Sequence, residues 1–254
     1  MSDVILQELV QMSQYLGHPG RTYAILGEGN TSARIDENSF YVKASGFTLG
    51  AIDENGFVKV SIPKVAAAID DESAGDESVK QLLKSSMIED GEQEDLRPSV
   101  ETVLHAVLLS YESVRFVGHT HPVFTNMILC SNKAEEAVCG RLCPDHIVMM
   151  GPESVFVPYV DPGLVMAREV KRRVERFIEK KGELPKAVML QNHGLIAMGE
   201  SPTVVTNITD MTEKMSHIIV GTYALGGPNF MSDNDVVRIH TRPDEKHRLR
   251  ILGR

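Results

Sequence analysis

Apolar residues recur along the chain in two rhythms. Val4, Ile5, Leu6, Leu9, Val10 and Met12 fall at helical spacing, Ser2 or Asp3 stands where a cap belongs, and Gly17 with Pro19-Gly20 closes the pattern, so a first helix is predicted. Short apolar runs at 23–26, 31–35 and 40–44 are parted by turn residues such as Asp36-Glu37-Asn38. They read as a meander of strands, not as strand–helix–strand units. Residues 70–95 hold ten Asp or Glu and read as a charged surface excursion with a short helix at 79–87. Pro98-Ser99 is expected to open a helix through Val103, Leu104, Val107 and Leu108, with Ser99 as cap or first-turn hydroxyl. A strand at 114–120 follows. Asp161-Pro162 starts a helix that turns Val165, Val170, Val174, Phe177 and Ile178 inward and ends before Gly182 and Pro185. Two strands, 187–190 and 195–198, are joined by Gln191-Asn192-His193-Gly194, and Ser201-Pro202 caps a long last helix that stops at Gly226-Gly227. No repeat or low-complexity linker appears, so residues 1–254 are expected to form one α/β domain, with a core at about 5–225 and a basic, polar tail at 228–254.

Composition narrows the class. The 254 residues are 42% hydrophobic and 24% charged, enough for a sizeable core in a globular protein. No run approaches the ~18 apolar residues of a spanning helix, and the N-terminus lacks the basic start and small-residue cleavage site of a secretory signal. A net charge of −9 argues against a nucleic-acid binder, although a local positive pocket can still take an anionic substrate. Cys130, Cys139 and Cys143 are odd in number and clustered, which fits neither a disulfide scaffold nor a structural zinc knuckle and points to a reduced, cytoplasmic setting.

Five segments carry candidate chemistry. His119-Thr120-His121 closes an apolar strand, and residues two apart share a face, so both imidazoles can reach one metal ion or simply be polar residues at a strand end. His193 lies in a tight link between two apolar strands, as a ligand or as a satisfied core histidine. Glu101 falls in the first turn of a helix, where the dipole favours a carboxylate, and His105 stands on the same face four residues on. Gly27-Glu28-Gly29-Asn30-Thr31-Ser32 lacks the third glycine and the following helix of a dinucleotide site. Its backbone N–H groups beside Asn, Thr and Ser could instead cradle an anion, as could Ala44-Ser45-Gly46 and the Ser99 hydroxyl.

Together, Gly29-Asn30-Thr31-Ser32, Ala44-Ser45-Gly46, Pro98-Ser99-Val100-Glu101, His119-Thr120-His121-Pro122 and Gln191-Asn192-His193-Gly194 resemble, in order and spacing, the class II aldolase/adducin family. This family includes fuculose-phosphate and rhamnulose-phosphate aldolases and ribulose-phosphate 4-epimerase. The resemblance implies a three-layer α/β/α fold with a mainly antiparallel central sheet, and a homotetramer. It implies a divalent metal, zinc first, held by His119, His121 and His193, with Glu101 as acid/base. Gly29, Asn30, Thr31, Ser32, Ser45, Gly46 and Ser99 fall on its substrate- and phosphate-binding loops.

The implied reaction is aldol cleavage of a small ketose or sugar phosphate through a metal-stabilised enediolate. The alternatives are 4-epimerisation or decarboxylation on the same site, or a non-catalytic, adducin-like interaction module; no nucleic acid or membrane partner is expected. Two departures stand out. Val100 occupies a position where phosphate-ketose aldolases often carry a second hydroxyl, and no tyrosine lies between Tyr111 and Tyr159 to protonate the aldehyde oxygen. Tyr223 or the basic tail is the remaining candidate for that role, and Arg238, Arg242, Lys246, Arg248 and Arg250 could pack on a neighbour's acidic surface, close over the substrate, or form a solvated terminus.

Overall fold

Strands that are apolar on both faces need a layer on each side, and this chain supplies both. The computed structural model describes residues 2–70, 76–88 and 96–252. Its strands are β1 (Asn30–Arg34), β2 (Ser39–Lys43), β3 (Phe57–Ser61), β4 (Phe116–Thr120), β5 (Val155–Val157), β6 (Ala187–Leu190) and β7 (Gly194–Gly199). They form a single sheet in the order β3-β2-β1-β4-β7-β6-β5, antiparallel throughout except for the parallel pair β5–β6. The helices are α1 (Ser2–Leu16), α2 (Ile62–Asp70), α3 (Asp76–Ser86), α4 (Thr102–Leu109), α5 (Val123–Leu129), α6 (Ala134–Cys139), α7 (Pro144–Met150), α8 (Leu164–Lys181), α9 (Pro202–Thr222), α10 (Asp233–Thr241) and α11 (Pro243–Leu252).

Alternation along the strands sorts the helices into two layers. Val58, Val117, Ile196 and Met198 point to one face and join Val65, Leu104 and Val170 of α2, α4 and α8. Their neighbours Phe57, Phe116, Leu195 and Ala197 point to the other and join Leu9, Ile128 and Ile208 of α1, α5 and α9. The result is the expected three-layer α/β/α arrangement with a mainly antiparallel sheet.

Several local expectations give way to tertiary context. Residues 23–26 are not a strand: Thr22 and Leu26 adopt positive φ (56° and 53°), and Ile25 and Leu26 face solvent. The chain turns there because Tyr23 is tied down, its hydroxyl donating to Asp210 and its carbonyl accepting from the His121 N–H. Pro98-Ser99 does not open a helix either. Pro98 pairs with Ala44 as an isolated bridge, and α4 begins at Thr102 with Glu101 in the capping position. The expected helix at 79–87 is found as α3, while 71–75 and 89–95 of the acidic stretch lie outside the described residues. The helix from Pro202 is not the last: α10 and α11 follow it and lie on α7, with Arg248 paired to Asp145 at 2.8 Å. No described helix is long and apolar enough to cross a membrane.

The end of α1 is locked by a backbone-to-backbone approach. A Cβ on Gly17 would sit 2.1 Å from the Gly50 nitrogen, which has no side-chain rotamer with which to yield. Gly17→Ala is therefore expected to cost about 1–3 kcal/mol of stability in urea melts. Ser201→Ala, which removes the hydroxyl that accepts from Val204 N–H at the start of α9, should cost about 1 kcal/mol.

Candidate metal centre

The β4–β7 pairing brings the histidines together. Thr120 lies opposite Leu195 in the antiparallel register, so the turn that precedes β7 falls beside the residues that follow β4. Asn192 takes positive φ (55°) in that turn. Gly194 then lets β7 close in, since a Cβ there would lie 2.5 Å from the Thr120 carbonyl oxygen and 2.6 Å from His121 Cδ2. The His119 Nε2 consequently sits 3.1 Å from that of His121 and 3.2 Å from that of His193, and all three ligand atoms fall within 4.8 Å of one another. His119 Nδ1 donates to the Leu195 carbonyl at 3.0 Å, which leaves Nε2 with its lone pair free.

Burial pushes the pKa of His119 down to about 4 against the pull of Glu101, and that of His121 down to about 4 with the help of His119 and His193. Three converging imidazoles suit zinc and neighbouring divalent transition metals.

Glu101 completes the cluster. Its Oε1 lies 3.2 Å from His193 Nε2 and 3.6 Å from His119 Nε2. Burial pushes the carboxyl pKa up, but His119, His193 and the Asn30 amide outweigh it and hold the group well below the usual carboxylate range.

Behind Glu101 runs a one-directional hydrogen-bond chain. The Asn30 NH2 donates to Glu101 Oε2, so Asn30 Oδ1 faces His105 Nε2. His105 is fully buried, and burial drives its pKa down to about 4, so the ring is neutral. Nε2–H must then donate to Asn30, and Nδ1 accepts from Ser32 Oγ at 2.6 Å. The chain ends on the carboxylate and turns its other oxygen toward the histidines.

The residues expected to bind phosphate divide into two groups. Gly29 (φ 70°) passes close over the ligand strand, since a Cβ would lie 2.7 Å from the His119 carbonyl oxygen. Asn30, Thr31 and Ser32, however, belong to β1, an interior strand with helices over both faces. Their hydroxyls turn inward: Thr31 Oγ1 bonds Ser13 Oγ at 2.6 Å under α1, and Ser32 Oγ bonds His105 Nδ1. The Asn30 amide is likewise committed to Glu101 and His105.

Ser45, Gly46 and Ser99 do come together. Ala44 bridges Pro98, Ser45 N–H donates to the Arg97 carbonyl at 2.8 Å, and Ser99 Oγ accepts from Glu101 N–H at 3.3 Å. Ser45 and Gly46 are exposed there.

Two neighbours went unnoticed in the sequence. Lys43 is only 4% exposed and has no ion-pair or hydrogen-bond partner among the described residues; burial lowers its pKa while Glu101 opposes the shift. Its signal was a lysine ending an apolar strand directly before a Ser-Gly turn. Glu28, whose Oε1 lies 3.8 Å from His121 Nδ1, carried no signal beyond its place in a glycine-rich loop.

Residues 7–220 match the Class II Aldolase and Adducin N-terminal domain. The chain is 29% identical over 204 residues to the uncharacterized oxidoreductase YuxG of Bacillus subtilis, which covers 77% of this chain but 27% of that protein, so the chain spans about a quarter of this relative's length. It is 25% identical over 202 residues to a methylthioribulose-1-phosphate dehydratase of Microcystis aeruginosa (77% of this chain, 85% of that one). It is 23% identical over 247 residues to a 3-oxo-tetronate 4-phosphate decarboxylase of Haemophilus influenzae (95% and 99%). Among solved structures, the N-terminal class II aldolase domain of a conserved protein from Thermoplasma acidophilum superposes with a TM-score of 0.65 at 28% identity, over 85% of this chain and 93% of that one. An L-fuculose 1-phosphate aldolase superposes with a TM-score of 0.71 at 17% identity, over 98% of both.

The buried imidazoles set an acid limit on the fold. His105, His119 and His121 stay neutral in the folded protein down to about pH 4, but take a proton near 6.5 once unfolded. The unfolded state thus binds more protons in that window. Stability is full above about 6.5, falls as pH drops through the window, and levels off below about 4. Urea melts of chelator-treated protein should show this loss, on the order of 3 kcal/mol for His105 alone; a flat profile would contradict it.

Proposed function

The chain belongs to the class II aldolase and adducin family, whose enzymes are metal-dependent and mostly lyases, and from that premise we propose that it cleaves a small ketose phosphate by a metal-dependent aldol reaction. The observation that supports this most is the convergence of three Nε2 atoms within 4.8 Å, with the ionised Glu101 carboxylate 3.2 Å from one of them. His119, His121 and His193 would hold the cation, zinc first, because three converging imidazole nitrogens fit its preference. Bound there, a divalent cation supplies Lewis-acid stabilisation of negative charge on the substrate oxygens.

The remaining work falls to the chain. Glu101 is an anion poised at the cluster: Asn30 fixes one oxygen, and the other, beside His193, would exchange a proton with the carbon next to the substrate carbonyl. His105 and Ser32 keep the Asn30 amide from flipping. Ser45, Gly46, Ser99 and the backbone at Gly29 and Asn30 form the anion-binding side, and Lys43, which has no side-chain partner among the described residues, ends the strand that leads into Ser45. A phosphate held there orients the reacting carbons over the cluster. The dehydratase and decarboxylase relatives are both named for phosphorylated substrates, which supports the phosphate.

Exposed apolar side chains on α5 and at the end of α9 (Val123, Met127, Ile218 and Leu225) support a homo-oligomer, proposed as a tetramer. One domain in the cytoplasm fits the three free thiols. Decarboxylation is a second reading, favoured by the near full-length alignment with the 3-oxo-tetronate 4-phosphate decarboxylase.

Product analysis on a panel of ketose and keto-acid phosphates discriminates among the chemistries. A new aldehyde marks aldol cleavage, released carbon dioxide a decarboxylase, an inverted carbinol an epimerase, and lost water a dehydratase. Alanine at His119, His121 or His193 should remove bound metal, measured by elemental analysis, and abolish turnover. Glu101→Gln should keep most of the metal while lowering kcat by roughly 10²–10⁴-fold. Full activity in that variant would overturn the role given to Glu101.

A further inference from the structure

Helix α5 begins immediately after His121-Pro122, and no side chain of its own segment caps its first turn. The cap comes from the other side of the layer. Glu213, buried in the middle of α9, accepts hydrogen bonds from Phe124 N–H, Thr125 N–H and Thr125 Oγ1–H, each at 2.9 Å. No cation pairs with it among the described residues. A buried carboxylate is costly unless donors satisfy it, and here three donors and the positive end of α5 do so. Thr125 Oγ1 also reaches Ser216 Oγ at 3.2 Å, and Phe124 stacks on His217 with ring centroids 3.7 Å apart, so α5 is seated on α9 along its first turn.

The same short helix grips the other ligand segment. Asn126 Nδ2 donates to the His193 carbonyl at 3.0 Å, and the Leu129 carbonyl accepts from Asn192 N–H at 3.1 Å. These two bonds bracket the turn in which Asn192 takes positive φ. One end of α5 therefore continues from His121, and its body holds His193. We infer that Glu213 is a positioning residue: by clamping α5 to α9 it sets the spacing between the Nε2 atoms of His121 and His193, which it never touches. The inference rests on the reading of the three histidines as a metal site.

The test uses the full chain with Glu213→Gln, which keeps the shape but replaces an acceptor oxygen by a donor, and Asn126→Leu, which removes the grip on His193. Ser201→Ala, a cap at the far end of α9, serves as the stability control. Zinc affinity, and the visible absorption of the protein loaded with cobalt(II), report the ligand geometry. Hydrogen exchange at the Asn192 amide reports the bracket without any metal.

We expect both variants to bind zinc about 10–100-fold more weakly, with an altered cobalt spectrum, while Ser201→Ala binds as the parent protein does. Asn192 should exchange at least about tenfold faster in Glu213→Gln than in the control. Unchanged affinity and exchange in both variants overturn the proposal, as does an equal loss in Ser201→Ala. A parent chain that binds no zinc defeats the metal reading alone, because the exchange result still decides whether Glu213 holds the turn.

Discussion

The constraint on which the rest of the structure depends is the crowding of three imidazoles and one carboxylate into a single buried corner. Four such groups, 3–4 Å apart and largely out of water, are stable together only if the charge is divided among them in one way. Here Glu101 carries the negative charge. Burial drives His119 and His121 toward the neutral form, while hydrogen bonding at its oxygens holds Glu101 ionised. The division favours a ligand set that keeps its lone pairs and leaves a single base beside them.

Around that corner, backbone constraints and side-chain networks serve the same end. Gly29 and Gly194 are placed where a Cβ would collide with the carbonyls of the ligand strand, so the loops close over the histidines at the distance the backbone allows. The chain from Ser32 through His105 and Asn30 takes hydroxyl and amide groups that look free in the sequence and spends them on orienting Glu101. On the opposite face, α5 joins the two ligand-bearing segments, and α9 holds α5. The site is therefore supported from both helical layers, and the sheet between them supplies the register.

The rim of the site is assembled from distant stretches of chain. Ser45, Gly46 and Ser99 meet only because Ala44 bridges Pro98, two segments more than fifty residues apart in sequence. Lys43, buried at the end of β2, has its pKa lowered by burial against the pull of Glu101.

Much of this was legible in the chain. Long, strongly periodic segments such as Ser2–Leu16, Leu164–Lys181 and Pro202–Thr222 announce themselves, because their burial repeats with the helical turn and their ends carry caps and glycines. The His119-x-His121 pair could be read as sharing a face because strand geometry fixes that locally.

Helices α5, α6 and α7 could not be read, since six or seven residues span too few turns to show a period. The fates of Thr31, Ser32, Pro98 and residues 23–26 were set by neighbours from distant parts of the sequence. Residue types and spacings determined which groups could do chemistry. The β4–β7 register, and the burial that follows from it, decided which of them meet, which are charged and which are spent on the scaffold, because those depend on contacts between segments some seventy residues apart that local preference does not encode.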